Sequence, residues 1–351
     1  MTDAAAIWPD VLGRLVRHED LTADAAAAAL GAILAGEATD AQVAAFAVAL
    51  RTKGETPVEL AALVRTMLRF SERVEVDVAG APLVDTCGTG GDGAGTVNVS
   101  TMAALIAAGA GVRVAKHGNR AASSKCGSAD VLEALGVVID LGPEGVARCI
   151  REAGIGFCFA QRFHAALRFA AAPRRELGVP TTFNFLGPLA NPAGATRRTV
   201  GVFDPTMAER MIGALDELGV DRALVFYGPD GLDELTTTTT STVFELRDGS
   251  VSKFEVDPEE LGIMTVEAGA LAGGDAAGNA QAVHRVLAGQ HGPLRDVAML
   301  NAAAALVAAG NADELAEGLE QARVSLDEGR AAAALDAFVR TSVAARESGC
   351  D

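Results

Sequence analysis

Aromatic residues are scarce in this 351-residue sequence: 13 Phe, one Trp and one Tyr. So small a set argues against the base-stacking platforms of single-strand nucleic-acid binders. The five cysteines, Cys87, Cys126, Cys149, Cys158 and Cys350, are odd in number and contain no Cys-x-x-Cys pair. In a chain of this length they read as reduced thiols of a cytoplasmic protein, not as a disulfide framework. Long hydrophobic runs are also missing. The longest, 25–36 and 102–112, fall short of the roughly 20 residues of a membrane span. The first residues lack the basic-then-apolar order of a signal peptide. Cations are outnumbered, 29 Lys and Arg against 46 Asp and Glu, for a formal net charge of −17. That balance disfavours nucleic acid and anionic membrane surfaces, which are held mainly through Lys and Arg.

What is present is apolar bulk. Half the residues are hydrophobic and mean hydropathy is +0.25, enough for a sizeable core, and the length suggests two domains. Residues 1–75 read as helices with clear punctuation. Thr22 stands as an N-cap before 23–35, and Gly36 follows as a left-handed stop. Thr39 with Gln42 and Thr56 with Glu59 have capping-box spacing, the latter with Pro57 at the first helical position. Leu60, Leu63, Val64, Met67 and Leu68 then form an amphipathic stripe.

After Val76 short β-branched runs alternate with helical stretches. Candidate strands lie at 82–85, 112–115, 137–140, 156–159, 199–203 and 223–227, with helices at 101–108, 129–135, 145–153 and 207–218 between them. Such alternation predicts a mostly parallel sheet covered by helices, with ligands at the C-terminal strand edge. Residues 161–192, with Pro173, Pro180, Pro188 and Pro192, interrupt it. Thr236–Thr240 reads as a β-branched strand running into Val243. The last sixty residues are Ala-rich and helical, with Pro293 opening a helix.

The net charge conceals a local imbalance. Residues 93–129 contain no acid but include Arg113, Lys116, Arg120 and Lys125. Residues 153–203 hold six Arg against Glu176 alone. The two windows carry +4 and +5, leaving −26 for the remainder. Charges beyond about 8–10 Å are largely screened, so these turns can bind an anion that the whole surface would repel.

Five motifs stand out, four of them in or overlapping these windows. Gly88-Thr89-Gly90-Gly91-Asp92-Gly93-Ala94-Gly95 follows a predicted strand. It contains G-x-G-x-x-G, but no helix begins within it and no acid lies about 20 residues on, so it is not a dinucleotide fingerprint; nor is it a P-loop. Five glycines in eight residues let backbone N–H groups close on a phosphate. Asn98-Val99-Ser100-Thr101 enters an apolar helix, with Ser100 or Thr101 as the expected N-cap, and helix N-termini suit phosphates. Lys116-His117-Gly118-Asn119-Arg120-Ala121-Ala122-Ser123-Ser124-Lys125 collects cations and hydroxyls with no acid among them, the composition of a phosphate cradle. Asp233-Glu234 reads either as a solvated turn or as a hard-oxygen site for Mg²⁺. Arg174, in the aromatic-bearing interruption, reads either as a surface ion-pair partner or as a fork onto a carboxylate.

These motifs, in this order and spacing and together with Gly36-Glu37-Ala38-Thr39, Lys53-Gly54-Glu55-Thr56 and the stretches 183–192 and 230–242, resemble the anthranilate phosphoribosyltransferases over essentially the whole chain. The resemblance implies an α/β fold of the nucleoside-phosphorylase-like type. A small N-terminal helical domain (1–75, joined by part of 164–190) would stand beside a larger α/β domain (76–351), with the active site in the cleft between them. It implies phosphoribosyl transfer from phosphoribosyl pyrophosphate (PRPP) to the amine of anthranilate, in tryptophan biosynthesis. PRPP would be held by Gly88, Gly91, Asp92, Thr96, Asn98, Val99, Ser100, Thr101, Lys116, His117, Gly118, Asn119, Arg120, Ala121, Ala122, Ser123, Ser124 and Ser128. Gly88, Asn119 and Arg174 would contact anthranilate, Arg174 at its carboxylate. Ser100, Asp233 and Glu234 would hold two Mg²⁺. A homodimer formed through the helical domain is implied too. No general base is assigned, since an aromatic amine is already neutral at pH 7. Ala165 departs from the pattern, standing where members often have Pro. The competing readings are a nucleoside phosphorylase using inorganic phosphate, and a non-catalytic nucleic-acid-binding relative.

Overall fold

A computed structural model of the protein describes residues 6–121 and 125–350. Four helices open it: α1 (Trp8–Val16), α2 (Ala23–Leu34), α3 (Asp40–Lys53) and α4 (Pro57–Arg69). The expected caps form. Thr22 Oγ1 accepts from Ala25 N at 3.2 Å. Thr39 with Gln42 and Thr56 with Glu59 close reciprocal capping boxes, each satisfying two otherwise unpaired N–H groups. The α4 stripe buries Leu60, Leu63, Val64 and Met67.

The rest is built on a seven-stranded sheet: β1 (Leu83–Gly88), β2 (Arg113–Gly118), β3 (Ile155–Phe159), β4 (Arg197–Gly201), β5 (Arg222–Tyr227), β6 (Ser241–Arg247) and β7 (Ser250–Val256), in the order β3-β2-β1-β4-β5-β6-β7. The first five strands are mutually parallel, and β6 and β7 add antiparallel pairings. Crossovers run through α5 (Val99–Gly109), through α6 (Ser128–Ala134) with α7 (Pro143–Ala153), and later through α11 (Pro205–Glu217). Between β3 and β4 the chain makes α8 (Ala160–Phe163), α9 (Ala171–Leu177) and α10 (Phe183–Leu186). The last helices are α12 (Ala276–Leu287), α13 (Pro293–Ala309), α14 (Leu315–Asp327) and α15 (Arg330–Glu347).

Alternation along the strands separates two cores. On β5, Leu224 and Phe226 pack with α5 and α13, while Ala223 and Val225 pack with the N-terminal helices, α10 and α11. Ala170, Phe183, Phe185, Leu186 and Leu189 share that second core with Trp8, Leu30 and Leu63. The chain leaves β1 toward β2 but leaves β4 toward β5. The crevice at the C-terminal ends of β1 and β4 is therefore the topological switch point of the sheet, where ligands bind in open α/β folds.

Three expectations are corrected. Residues 137–140 form no strand: Val137 and Ile139 are buried, but Val138 N donates to Ser342 Oγ of α15 (3.0 Å) instead of to a neighbouring strand. Thr236–Thr240 precede β6 as a turn, because Thr236 Oγ1 and Thr238 Oγ1 both donate to Asp230 Oδ2. Hydroxyl bonding there outweighs β-branching. No strand is expected at β7, which is an edge strand exposed over all but Val256 and so lacks a buried alternation.

Candidate active site

The glycine-rich loop leaves the end of β1. Gly90, Gly91, Gly93 and Gly95 all have positive φ (65°, 84°, 68° and 62°), which only glycine adopts without strain. Three bonds anchor its start: Thr89 N to Gly201 O (2.9 Å), Phe203 N to Thr89 Oγ1 (3.2 Å) and Gly90 N to Asp233 Oδ2 (2.6 Å). The strand ends beneath are glycine because Asp233 crosses them. A Cβ on Gly88 would lie 2.3 Å from Asp233 Oδ2, and one on Gly201 would lie 1.6 Å from Asp233 O. Thr96 bridges to Ala272, and Gly273 N donates to Gly95 O at 2.8 Å, closing the far end of the loop.

The helix that follows begins earlier than expected. Its N-cap is Asn98, and Ser100 and Thr101 lie inside the first turn. The Asn98 side chain does not cap. Its Nδ2 donates to Cys126 O (3.1 Å), and its Oδ1 accepts from Asn279 Nδ2 (2.9 Å). Ser100 N donates to Glu234 Oε1 (3.2 Å). Lys116 is buried at the centre, with Nζ donating to Thr86 O (2.6 Å) and Ser100 Oγ (3.2 Å). Burial lowers its pKa, opposed by the field of Asp85, Cys87, Glu234 and Asp233.

Asp233 and Glu234 are therefore not a solvated turn; both are buried. Burial holds each well above the usual carboxylate range, reinforced by Asp92 for Asp233 and by Asp233 for Glu234. Two desolvated carboxylates beside a serine hydroxyl form a hard-oxygen donor set short of positive charge. Among the described residues no group of three or more His, Cys, Asp or Glu side chains could hold a metal unaided. Mg²⁺ takes one or two carboxylates and completes its shell with water and substrate phosphates.

The loop after β2 is more fully paired than its composition suggested. Arg120 pairs with Asp130 (2.9 Å) and Glu133 (2.8 Å) on α6, just outside the acid-free window, which corrects the reading of an unneutralised cation. Asp130, which sequence reasoning missed, shapes the loop: its Oδ2 accepts from Ala121 N (3.0 Å) and Gly127 N (2.8 Å). The spacing of Gly127 and Asp130 is half a capping box and was a usable signal. Asn119 O accepts from Ala129 N (3.1 Å) and Ser128 Oγ (3.3 Å), and a Cβ on Gly118 would lie 2.2 Å from Ser128 Oγ. Ala122, Ser123 and Ser124 lie outside the described residues.

His117 is buried; its Nδ1 faces Gly187 O at 2.9 Å, and its Nε2 has no partner among the described residues. Burial pushes its pKa down to about 4, so it is a weak base at neutral pH. Its ring meets His164 edge-on with centroids 5.0 Å apart. Arg174, on α9, has no carboxylate among its described neighbours; its guanidinium lies 5.5 Å from the Phe183 ring centroid, and burial lowers its pKa. A partly buried guanidinium without a carboxylate can receive an anionic group.

The structure thus gathers Gly88, Asp92, Ser100, Lys116, Asp233 and Glu234 at one strand edge, with the Gly118–Arg120 turn beside them and Arg174 apart on α9. Asn279, which ties Asn98 to the backbone of Gly274 (2.7 Å), is 181 residues from Asn98 and gave no local signal. A separate cavity of about 280 Å³ beside β7 is lined by Glu245, Glu255, Asp257, Glu260, Asp313 and Glu314; those acids would repel an anionic donor.

A helical bundle thus stands beside a switched parallel sheet, with a glycine loop and buried carboxylates at its C-terminal edge. Residues 80–332 match the α/β domain of the glycosyl transferase family, and 9–71 match its helical bundle domain. The anthranilate phosphoribosyltransferase of a Nocardioides species is 56% identical over 337 residues, covering 95% of this chain and 98% of that one. That of Acidothermus cellulolyticus is 54% identical over 352 residues, covering 99% and 98%. The crystal structure of the Thermus thermophilus enzyme superposes with a TM-score of 0.90 at 44% identity, covering 95% of this chain and 99% of that one. The Saccharomyces cerevisiae enzyme in complex with PRPP and Mg superposes at 0.88 with 26% identity, covering 97% and 99%. The chain belongs to the anthranilate phosphoribosyltransferase family.

Proposed function

We infer that this chain transfers the phosphoribosyl group of PRPP to the amine of anthranilate, giving N-(5-phosphoribosyl)anthranilate and pyrophosphate, a step of tryptophan biosynthesis. The buried Asp233-Glu234 pair at the mouth of the glycine loop carries this reading most directly, because it calls for a divalent cation where a pyrophosphate would lie. Backbone N–H groups of 88–96 and of the first turn of α5, with the 116–128 loop, bind and orient PRPP. Ser100, Asp233 and Glu234 hold two Mg²⁺, which when bound supply compensation for the charge that develops on the departing pyrophosphate. Arg174 holds the anthranilate carboxylate, and Gly88 and Asn119 line the acceptor side. The amine attacks C1 of the ribose, and orientation provides much of the rate. No residue is assigned as general base.

We take residues 1–75 with part of 164–190 as one domain and 76–351 as the other, with the active site between them. The protein acts as a cytoplasmic homodimer joined through its helical domain. No helix among the described residues is long and apolar enough to cross a membrane. Asp233→Asn combined with Glu234→Gln tests the reaction. The variant should lose Mg²⁺-dependent pyrophosphate release from PRPP and anthranilate by at least about 100-fold, the usual scale for removing a transition-state charge stabiliser. Undiminished release at the same Mg²⁺ concentration would remove the pair from the metal site.

A further inference from the structure

Glu55, in the turn between α3 and α4, is a fully buried carboxylate that the reaction itself does not use. Its Oε2 accepts from Arg51 Nη1 (3.3 Å) and Arg210 Nη1 (3.2 Å), and its Oε1 accepts from Thr182 Oγ1 at 2.6 Å. Three parts of the chain, α3, α11 and the 164–190 segment, thus meet on one charge. From it two arms of contacts lead out, both touching α10. Thr182 precedes Phe183, the ring over which Arg174 sits. On the other side Arg51 pairs with Asp204 and lies 5.1 Å over the Phe185 ring. Phe185 stacks on Phe203 with centroids 5.4 Å apart. Phe203 N donates to Thr89 Oγ1 (3.2 Å), and its ring lies 3.6 Å from where a Cβ of Gly91 would be.

We propose that Glu55 is a positioning residue, a latch between the helical layer and the α/β layer. Through Thr182 it sets the acceptor wall that carries Arg174. Through Arg51, Asp204 and Phe203 it sets the glycine loop that holds the donor. The physical reason is directional: a buried carboxylate must satisfy its oxygens within a narrow geometry, so helices that move relative to the sheet move both walls together.

The proposal rests on the reaction inferred above, and its test separates the two. Steady-state kinetics are measured on wild type, Thr182→Val and Arg51→Met, with thermal unfolding of each. Thr182→Val removes the Glu55–Thr182 bond, leaves the Arg51–Asp204 pair in place, and should raise KM for anthranilate at least 10-fold with KM for PRPP within 2-fold. Arg51→Met cuts the donor arm and should raise KM for PRPP more than KM for anthranilate. Glu55→Gln, which keeps an acceptor for Thr182 but drops the charge for both arginines, should follow the Arg51→Met pattern. A merely structural role would lower Tm and move both KM values alike in every variant, and that result, or no change in either KM, overturns the latch. A wild type that consumes no anthranilate overturns the reaction instead.

Discussion

Gly201 shows how far single positions constrain this site. It ends β4, and the Asp233 carbonyl occupies the place of its Cβ. Because the obstruction is backbone, nothing flexible can yield. Gly201→Ala should therefore cost at least the about 3 kcal/mol at the upper end of ordinary overpacking, measured by urea unfolding; a loss under about 1 kcal/mol would show that the Asp233 turn moves freely. Arg174 is constrained in the opposite sense, by what it lacks. With no carboxylate partner among the described residues, it has binding capacity to give. Arg174→Ala should raise KM for anthranilate by about 10- to 200-fold, as expected for a lost charge-assisted contact of about 1.5–3 kcal/mol, and leave KM for PRPP nearly unchanged. Equal losses for both substrates would take Arg174 out of the acceptor site.

At the scale of elements, β2 and the segment after α10 meet through His117. Its Nδ1 faces Gly187 O, and burial of the ring holds it neutral with a pKa of about 4, below the ordinary 6.5. As pH falls, the unfolded chain takes the proton first. The stabilisation from a neutral ring is complete above about 6.5 and drains away as pH drops toward 4, by about 3 kcal/mol in all. His164, pushed down to about 3 by burial and by its neighbour His117, adds a loss of the same sign. Urea unfolding at pH 7 and pH 4.5 should show this loss in wild type and a shallower one in His117→Gln; parallel slopes would contradict it. These interfaces were beyond reach of the sequence, because His117 meets its partner 70 residues away in the chain. The elements themselves were legible where chemistry is local. Thr39, Thr56 and Pro57 mark helix starts, and the glycines of 88–95 mark the loop, by rules that act within four residues. The misread elements, 137–140 and 236–240, are those whose β-branched composition was overruled by distant or side-chain hydrogen bonds. At the site, Asp233-Glu234 was legible as a candidate, but its burial came only from the crossing of two glycine strand ends.

For the whole molecule, the net charge of −17 coexists with a site that calls for cations. The acids cluster elsewhere, as around the cavity beside β7, while the crevice carries backbone N–H groups, Lys116 and a carboxylate pair that together with Mg²⁺ would meet a pyrophosphate. Even the basic windows proved partly balanced, since Arg120 is spent on α6. Donor binding should therefore depend on metal more than on net positive charge. The direct test is the fluorescence of anthranilate in the presence of the wild-type protein. With PRPP and Mg²⁺ the signal should fall at a rate proportional to enzyme, and it should hold steady when either PRPP or Mg²⁺ is withheld. No consumption under the complete conditions, together with cleavage of a nucleoside by inorganic phosphate or tight binding to DNA, would contradict the inferred reaction outright.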